Sequence, residues 1–165
     1  MAKPRPTEIT AAMTLAAAET VVSQLVALKL IAAEGVDARA RDIVNCALVT
    51  DDGYEIAKKL DARCSWKCNL QIAEELDAFR YLVRDELHAA EALWASENCI
   101  EPPYPVGSHV KLRTGEKGEI SDISSHYAAK YLVAIDGDPQ AQQPTNRRYV
   151  VNFEDVVIQE PERDS

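Results

Sequence analysis

At 165 residues the chain has room for one domain with a substantial core or for two small ones. Its hydrophobic fraction of 47% excludes wholesale disorder, and 27 acidic against 18 basic side chains leave a net charge of −9. Such a balance repels nucleic acid on average and favours a protein partner or a basic patch as target.

Residues 1–6 place Lys3 and Arg5 between prolines and read as a short flexible lead without a secretory signal pattern. A helix is expected from Thr7, its cap, with Glu8 at the positive end of the dipole. It runs to about Glu34, and Gly35 ends it. Glu19, Gln24 and Lys29 interrupt the apolar run from Ile9 to Ala33, which makes a membrane span costly. The expected location is therefore cytoplasmic, where Cys46, Cys64, Cys68 and Cys99 stay reduced. Val21, Leu25, Leu28 and Ala32 form one apolar row of this helix, and Val22, Val26 and Leu30 form a second. The first row suits the seam of a homodimer; a central helix of a monomeric bundle suits both rows equally well.

A second helix is expected from Asp37 to Val49, with Ile43, Val44, Ala47 and Leu48 inward. Asp51-Asp52-Gly53 reads as a turn and the cap of a third helix, Tyr54 to about Arg63. Ile56 to Ala62 and Ile72 to Ala78 share one framework with inverted charges, Lys58-Lys59 against Glu74-Glu75. Two such segments suit an antiparallel hairpin with Lys facing Glu; chance similarity of amphipathic helices is the competing account. The dominant signal is the stripe Ile72, Leu76, Phe79, Val83, Leu87, Ala90 and Trp94, at steps of three and four. It predicts one helix from Asn69 to Asn98, about 45 Å long at 1.5 Å per residue.

Pro102, Pro103 and Pro105 mark the boundary between a helical domain, residues 1–100, and a second domain, residues 101–165. Beyond it the period becomes strand-like. Five short strands are expected around Val110, Ile120, Val133, Val150 and Val157, with Gly107, Gly115, Gly118 and Gly137 at turns. Asp136 to Asn146 reads as a polar loop, and Gln159 to Ser165 as a frayed tail.

Val106-Gly107, Val110, Gly115, Gly118-Glu-Ile120, Tyr131-Leu-Val133, Tyr149-Val-Val151 and Phe153-Glu-Asp-Val-Val157 occur in fixed order. Over residues 105–158 this pattern resembles a small SH3-like barrel, of the sort found in KOW modules and in the barrel domain of nitrile hydratase β subunits. The resemblance implies a Gly-x-x-Gly-x-hydrophobic hairpin and an acidic single turn before the last strand. The chain departs from the KOW pattern in its first loop, where Glu116 and Glu119 flank Lys117, so nucleic-acid binding is not carried over. The fold class expected is thus α+β: an N-terminal helical bundle followed by a small SH3-like β-barrel.

No set of side chains suits catalysis. His88, His109 and His126 are scattered, and Gly115-x-x-Gly118 lacks the strand–helix context of a phosphate loop. Cys64 and Cys68 are the nearest approach to a metal pair, but no second pair accompanies them, so neither metal nor cofactor is assigned. Cys68, beside Lys67 at a helix start, is expected to have a lowered thiol pKa.

The chain therefore reads as a non-enzymatic interaction protein, an adaptor or an inhibitor that binds another protein and occludes a basic nucleic-acid-binding surface. Lys58, Lys59, Arg63, Trp66, Lys67, Tyr104, Tyr127, Arg147 and Arg148 are the candidate contact residues. The alternative is a nucleic-acid-binding regulator using residues 58–67 as part of a helix-turn-helix-like segment. Against it stand Glu74, Glu75 and Asp77 on the second helix, which repel phosphate.

Overall fold

The computed structural model describes residues 4–138 and 148–159. Among these residues five helices precede a five-stranded antiparallel sheet, an α+β arrangement. The chain divides into two compact units. One spans Pro6–Ala90; the other joins the N-terminal residues through Arg5 to the chain from Glu91 onward.

The first unit begins with α1 (Ala11–Ala27), capped by Thr10, whose Oγ1 accepts the Met13 N–H at 3.3 Å. Its start thus lies one turn beyond the expected cap at Thr7. Its end lies before the expected Glu34. Lys29 adopts φ +59, and the N–H groups of Lys29 and Leu30 bond Val26 O and Leu25 O, both at 2.9 Å. This is a Schellman closure built on lysine instead of glycine, so no glycine signals it. Gly35, at φ +73, caps the start of α2 (Val36–Cys46) instead of ending α1.

Asp52 caps α3 (Gly53–Cys64), its Oδ1 accepting the Glu55 N–H at 2.9 Å. Asn69 caps α4 (Leu70–Leu76) in the same manner, and α5 (Phe79–Glu97) follows. The single rod expected from Asn69 to Asn98 is therefore two helices. At the break, Asp77 and Ala78 donate to Glu74 O and Glu75 O, tight i−3 bonds in place of i−4. The Asp77 carboxylate accepts the Gly53 N–H at 3.1 Å and the Arg80 guanidinium at 3.1 Å. The first turn of α3 is thereby fastened to the last turn of α4. The apolar phase survives the break: Ile72, Leu76, Phe79 and Val83 are all buried. With Val21, Val22, Leu25, Ile43, Ile56 and Leu60 they make the core. Lys58 pairs with Glu55 at 3.4 Å and Lys59 with Asp51, which fits chance similarity of the two segments better than a hairpin with Lys facing Glu.

In the second unit the strands fall where the alternation places them: β1 (His109–Leu112), β2 (Lys117–Ile123), β3 (Lys130–Ile135), β4 (Tyr149–Asn152) and β5 (Val156–Ile158). The sheet order is β4-β3-β2-β1-β5, all neighbours antiparallel. A single 3-10 turn, Phe153–Asp155, joins β4 to β5. Gly118 is required on β2, because a Cβ there would stand 2.3 Å from the Ala134 carbonyl oxygen. The polar loop expected over Asp136–Asn146 lies mostly outside the described residues, as does the expected tail beyond Gln159.

Val110, Leu112, Ile120, Tyr131, Val133, Phe153 and Val156 form the core of this unit. The Tyr131 ring lies 4.4 Å from that of Phe153. Its hydroxyl accepts the Tyr104 N–H and donates to the Tyr104 carbonyl, both at 2.8 Å. Tyr131→Phe should therefore lower the stability of the sheet unit by about 1–3 kcal/mol, because two backbone groups lose their partner beside a buried ring. A urea titration that finds the wild-type midpoint in this variant would contradict the pairing.

Arg5 does not belong to a flexible lead. Its side chain is only 6% exposed. Nε donates to Glu91 Oε1 at 3.0 Å, one terminal nitrogen to the Glu154 carboxylate at 3.0 Å, and the other to the Ala128 carbonyl at 2.9 Å. Its guanidinium carbon also lies 5.5 Å from the centroid of the Trp94 ring. Lys130 supplies a second cation to the buried Glu91, at 3.3 Å.

Candidate functional site

The sequence-derived contact residues fall in both units: Lys58, Lys59, Arg63, Trp66 and Lys67 in the helical unit, and Tyr104, Tyr127 and Arg148 in the sheet unit. Lys58 and Lys59 are engaged by Glu55 and Asp51. Burial raises the Asp51 carboxyl pKa, but the Lys59 and Leu48 hydrogen bonds and the Lys59 charge outweigh it, and the net shift is downward. Arg63 and Lys67 are exposed. Trp66 is held inward: its indole N–H donates to Asp42 Oδ2 at 2.9 Å, and the Arg39 guanidinium lies over its ring at 5.1 Å. The helix-turn-helix-like segment has a second helix of only 7 residues, with Glu74 exposed on it.

Tyr104 is occupied through its backbone by Tyr131, and Tyr127 lies under the Lys130 ammonium at 5.4 Å. Arg148 immediately precedes β4, and Arg147 lies outside the described residues. In the expected seam, Val21 and Leu25 are 0% exposed within the single chain, so their apolar faces are already consumed by intrachain packing. Leu28 and Ala32 stand at the surface.

The thiols are arranged differently from expectation. Cys46 Sγ and Cys64 Sγ are 3.6 Å apart. Cys68 is not activated: burial, reinforced by the Asp61 carboxylate, pushes its thiol up to about 12 against the opposing Arg39 charge. Its N–H donates to Asp61 Oδ1 at 2.7 Å. Among the described residues no three His, Cys, Asp or Glu side chains gather as metal donors.

One concave surface in the sheet unit combines exposure, apolar lining and backbone hydrogen-bonding capacity. It is a groove of about 620 Å³. One wall is the β1–β2 turn, with Leu112, Arg113, Thr114 and Glu116; the other is β4, with Tyr149, Val150 and Val151. Asp155 sits at its edge, 3.7 Å from the Arg113 guanidinium, while its carbonyl accepts the Arg113 N–H at 2.9 Å. Asn152 Nδ2 donates to Asp155 Oδ2 at 2.8 Å, which holds the carboxylate beside the groove.

Tyr149 and Val150 are 40% and 46% exposed, on opposite faces of β4, and Val157 and Ile158 of the other edge strand, β5, are likewise exposed. Among the described residues β4 pairs only with β3, which leaves it an edge of the sheet. Sequence reasoning used Tyr149 as a strand marker and, with Tyr104, Tyr127 and Tyr131, as a possible groove aromatic, and missed Arg113, Thr114, Glu116 and Val150 as its neighbours. The available signal was the run Tyr149-Val150-Val151, apolar on consecutive residues where a half-buried strand alternates. Comparison of the chain with protein-family models, with curated proteins and with solved structures finds no match.

Proposed function

We propose that this chain is a non-enzymatic interaction protein whose sheet unit binds an extended segment of another protein. The observation that carries the reading is the groove beside β4, with two exposed apolar side chains on an edge strand. An extended peptide laid there would add backbone hydrogen bonds to the edge and set consecutive side chains beside Tyr149 and Val150, one on each face of the strand. Asp155 is already paired with Arg113, but Glu116 and the net charge of −9 favour a segment that carries lysine or arginine beside its apolar residues. The strand order and the 3-10 turn before β5 support reading this unit as an SH3-like barrel. In that reading the protein is an adaptor or an inhibitor that covers a basic surface on its partner. Four unbridged cysteines support a cytoplasmic setting. No helix among the described residues is long and apolar enough to cross a membrane. Nucleic-acid binding through residues 58–67 draws less support, since Lys58, Lys59 and Trp66 are engaged within the chain.

Selection of random peptides on the full-length protein tests this. Enriched peptides should carry two consecutive apolar residues with at least one adjacent Lys or Arg. Val150→Asp should weaken their binding at least about tenfold, about 1.4 kcal/mol, with unchanged circular dichroism. No enrichment, or equal affinity in the variant, would defeat the reading.

A further inference from the structure

A pair of thiols in the helical unit takes no part in the proposed recognition. Cys46 is the last residue of α2 and Cys64 the last of α3. Their sulfurs are 3.6 Å apart. This proximity is enforced from both sides of Cys64. Before it, Ile56 and Leu60 of α3 are fully buried in the core that also contains Ile43 of α2. After it, Trp66 is bonded to Asp42, one turn before Cys46 on α2. Ser65 and Lys67, on either side of Trp66, adopt φ +58 and +59, which cost non-glycine residues energy and hold only where the surroundings impose them. The segment after Cys64 is therefore clamped onto the last turn of α2, and the two thiols are presented to each other before any bond joins them.

We propose that Cys46 and Cys64 are a redox-modification site that closes to an intramolecular disulfide at the expense of a low-molecular-weight disulfide such as glutathione disulfide. Cys64 is partly exposed and Cys46 is buried, so Cys64 reacts first. Its thiolate attacks one glutathione sulfur, forms a mixed disulfide and expels glutathione thiolate. The Cys46 thiolate then attacks the Cys64 sulfur, forms the Cys46–Cys64 bond and expels the second glutathione. The two cysteines lose two electrons and two protons; glutathione disulfide gains both and leaves as two glutathione thiols.

Burial pushes the Cys64 thiol up to about 11, and Cys46 and Asp42 on α2 reinforce the shift. The thiolate is thus scarce at neutral pH, and the rate of closure should rise about tenfold per pH unit from pH 7 to 9. The product would staple α2 to α3.

The full chain should be incubated in glutathione buffers of increasing oxidised fraction, quenched in acid, alkylated and digested for mass analysis. A Cys46–Cys64 linked peptide should appear, two hydrogens lighter than the sum of its parts, while Cys68 remains alkylated. Cys46→Ala should instead stop at a glutathione adduct on Cys64. The oxidised wild type should also melt at a higher temperature than the reduced form. A Cys64–Cys68 link, or glutathione on Cys99 with Cys46 and Cys64 both alkylated, would overturn the proposal. The wild-type peptide map decides the matter even if Cys46→Ala does not fold.

Discussion

Gly53→Ala is expected to unfold the helical unit. A Cβ at this position would stand 1.9 Å from the Ala73 carbonyl oxygen, 2.5 Å from the Asp77 amide nitrogen and 3.0 Å from the Asp77 Cα. All three are backbone atoms, so no side chain can swing away. Relief requires α3 to withdraw from α4, which also breaks the Gly53 N–H bond to Asp77. Withdrawal would separate Ile56 and Leu60 from Ile72 and Leu76, all within 4% of complete burial. The expected loss exceeds about 4 kcal/mol, a large part of the roughly 5–15 kcal/mol that a domain possesses. Far-ultraviolet circular dichroism in urea measures it. Gly35→Ala is the control: no atom lies within 4 Å of a Cβ there, and only the positive φ of +73 opposes it. That variant should lose only about 1–2 kcal/mol. Similar midpoints for the two variants would show that α3 and α4 do not meet at Gly53.

Arg5→Ala is expected to cost the sheet unit about 3 kcal/mol, the range for removing one member of a buried ion pair. Glu91 is only 8% exposed at its side chain, and Lys130 alone would remain beside it. The same change removes the donor to the Ala128 carbonyl and the cation near Trp94. Arg5→Lys should rescue little, because one ammonium cannot reach Glu91, Glu154 and Ala128 together as a planar guanidinium does. Trp94 reports on this unit and Trp66 on the other. Urea unfolding followed by fluorescence in a Trp66→Phe background therefore isolates the effect. A midpoint equal to that of the parent would return Arg5 to the role of an unstructured lead. Because the pair is buried, added salt should change the loss little.

The helical half was legible where chemistry is local and obscure where it is not. Asp52 before Gly53 announces α3, because a side-chain oxygen there bonds an amide three residues on. The break between α4 and α5 leaves no such mark. Leu76 and Phe79 are still three apart, so an apolar stripe runs through a turn that ends the helix. The end of α1 was hidden for a related reason: Lys29 took the left-handed position that glycine usually advertises, and Gly35 then served a different helix. The lowered Cys68 pKa was reasoned from Lys67 next to it in sequence, whereas Asp61 and burial govern the thiol.

By itself the sequence determined the α+β order, the five strands, the cap of α3 and the apolar stripe, because alternation, periodicity and capping act across a few neighbouring residues. Only the tertiary structure decided that Arg5 is buried against Glu91, that Gly53 admits α3 onto α4, that Cys46 meets Cys64, and that the turn after Leu112 faces Tyr149 and Val150. Each of these joins residues far apart in the chain, and such pairs are chosen by the packing of whole elements, in which close approach, burial and charge are settled together.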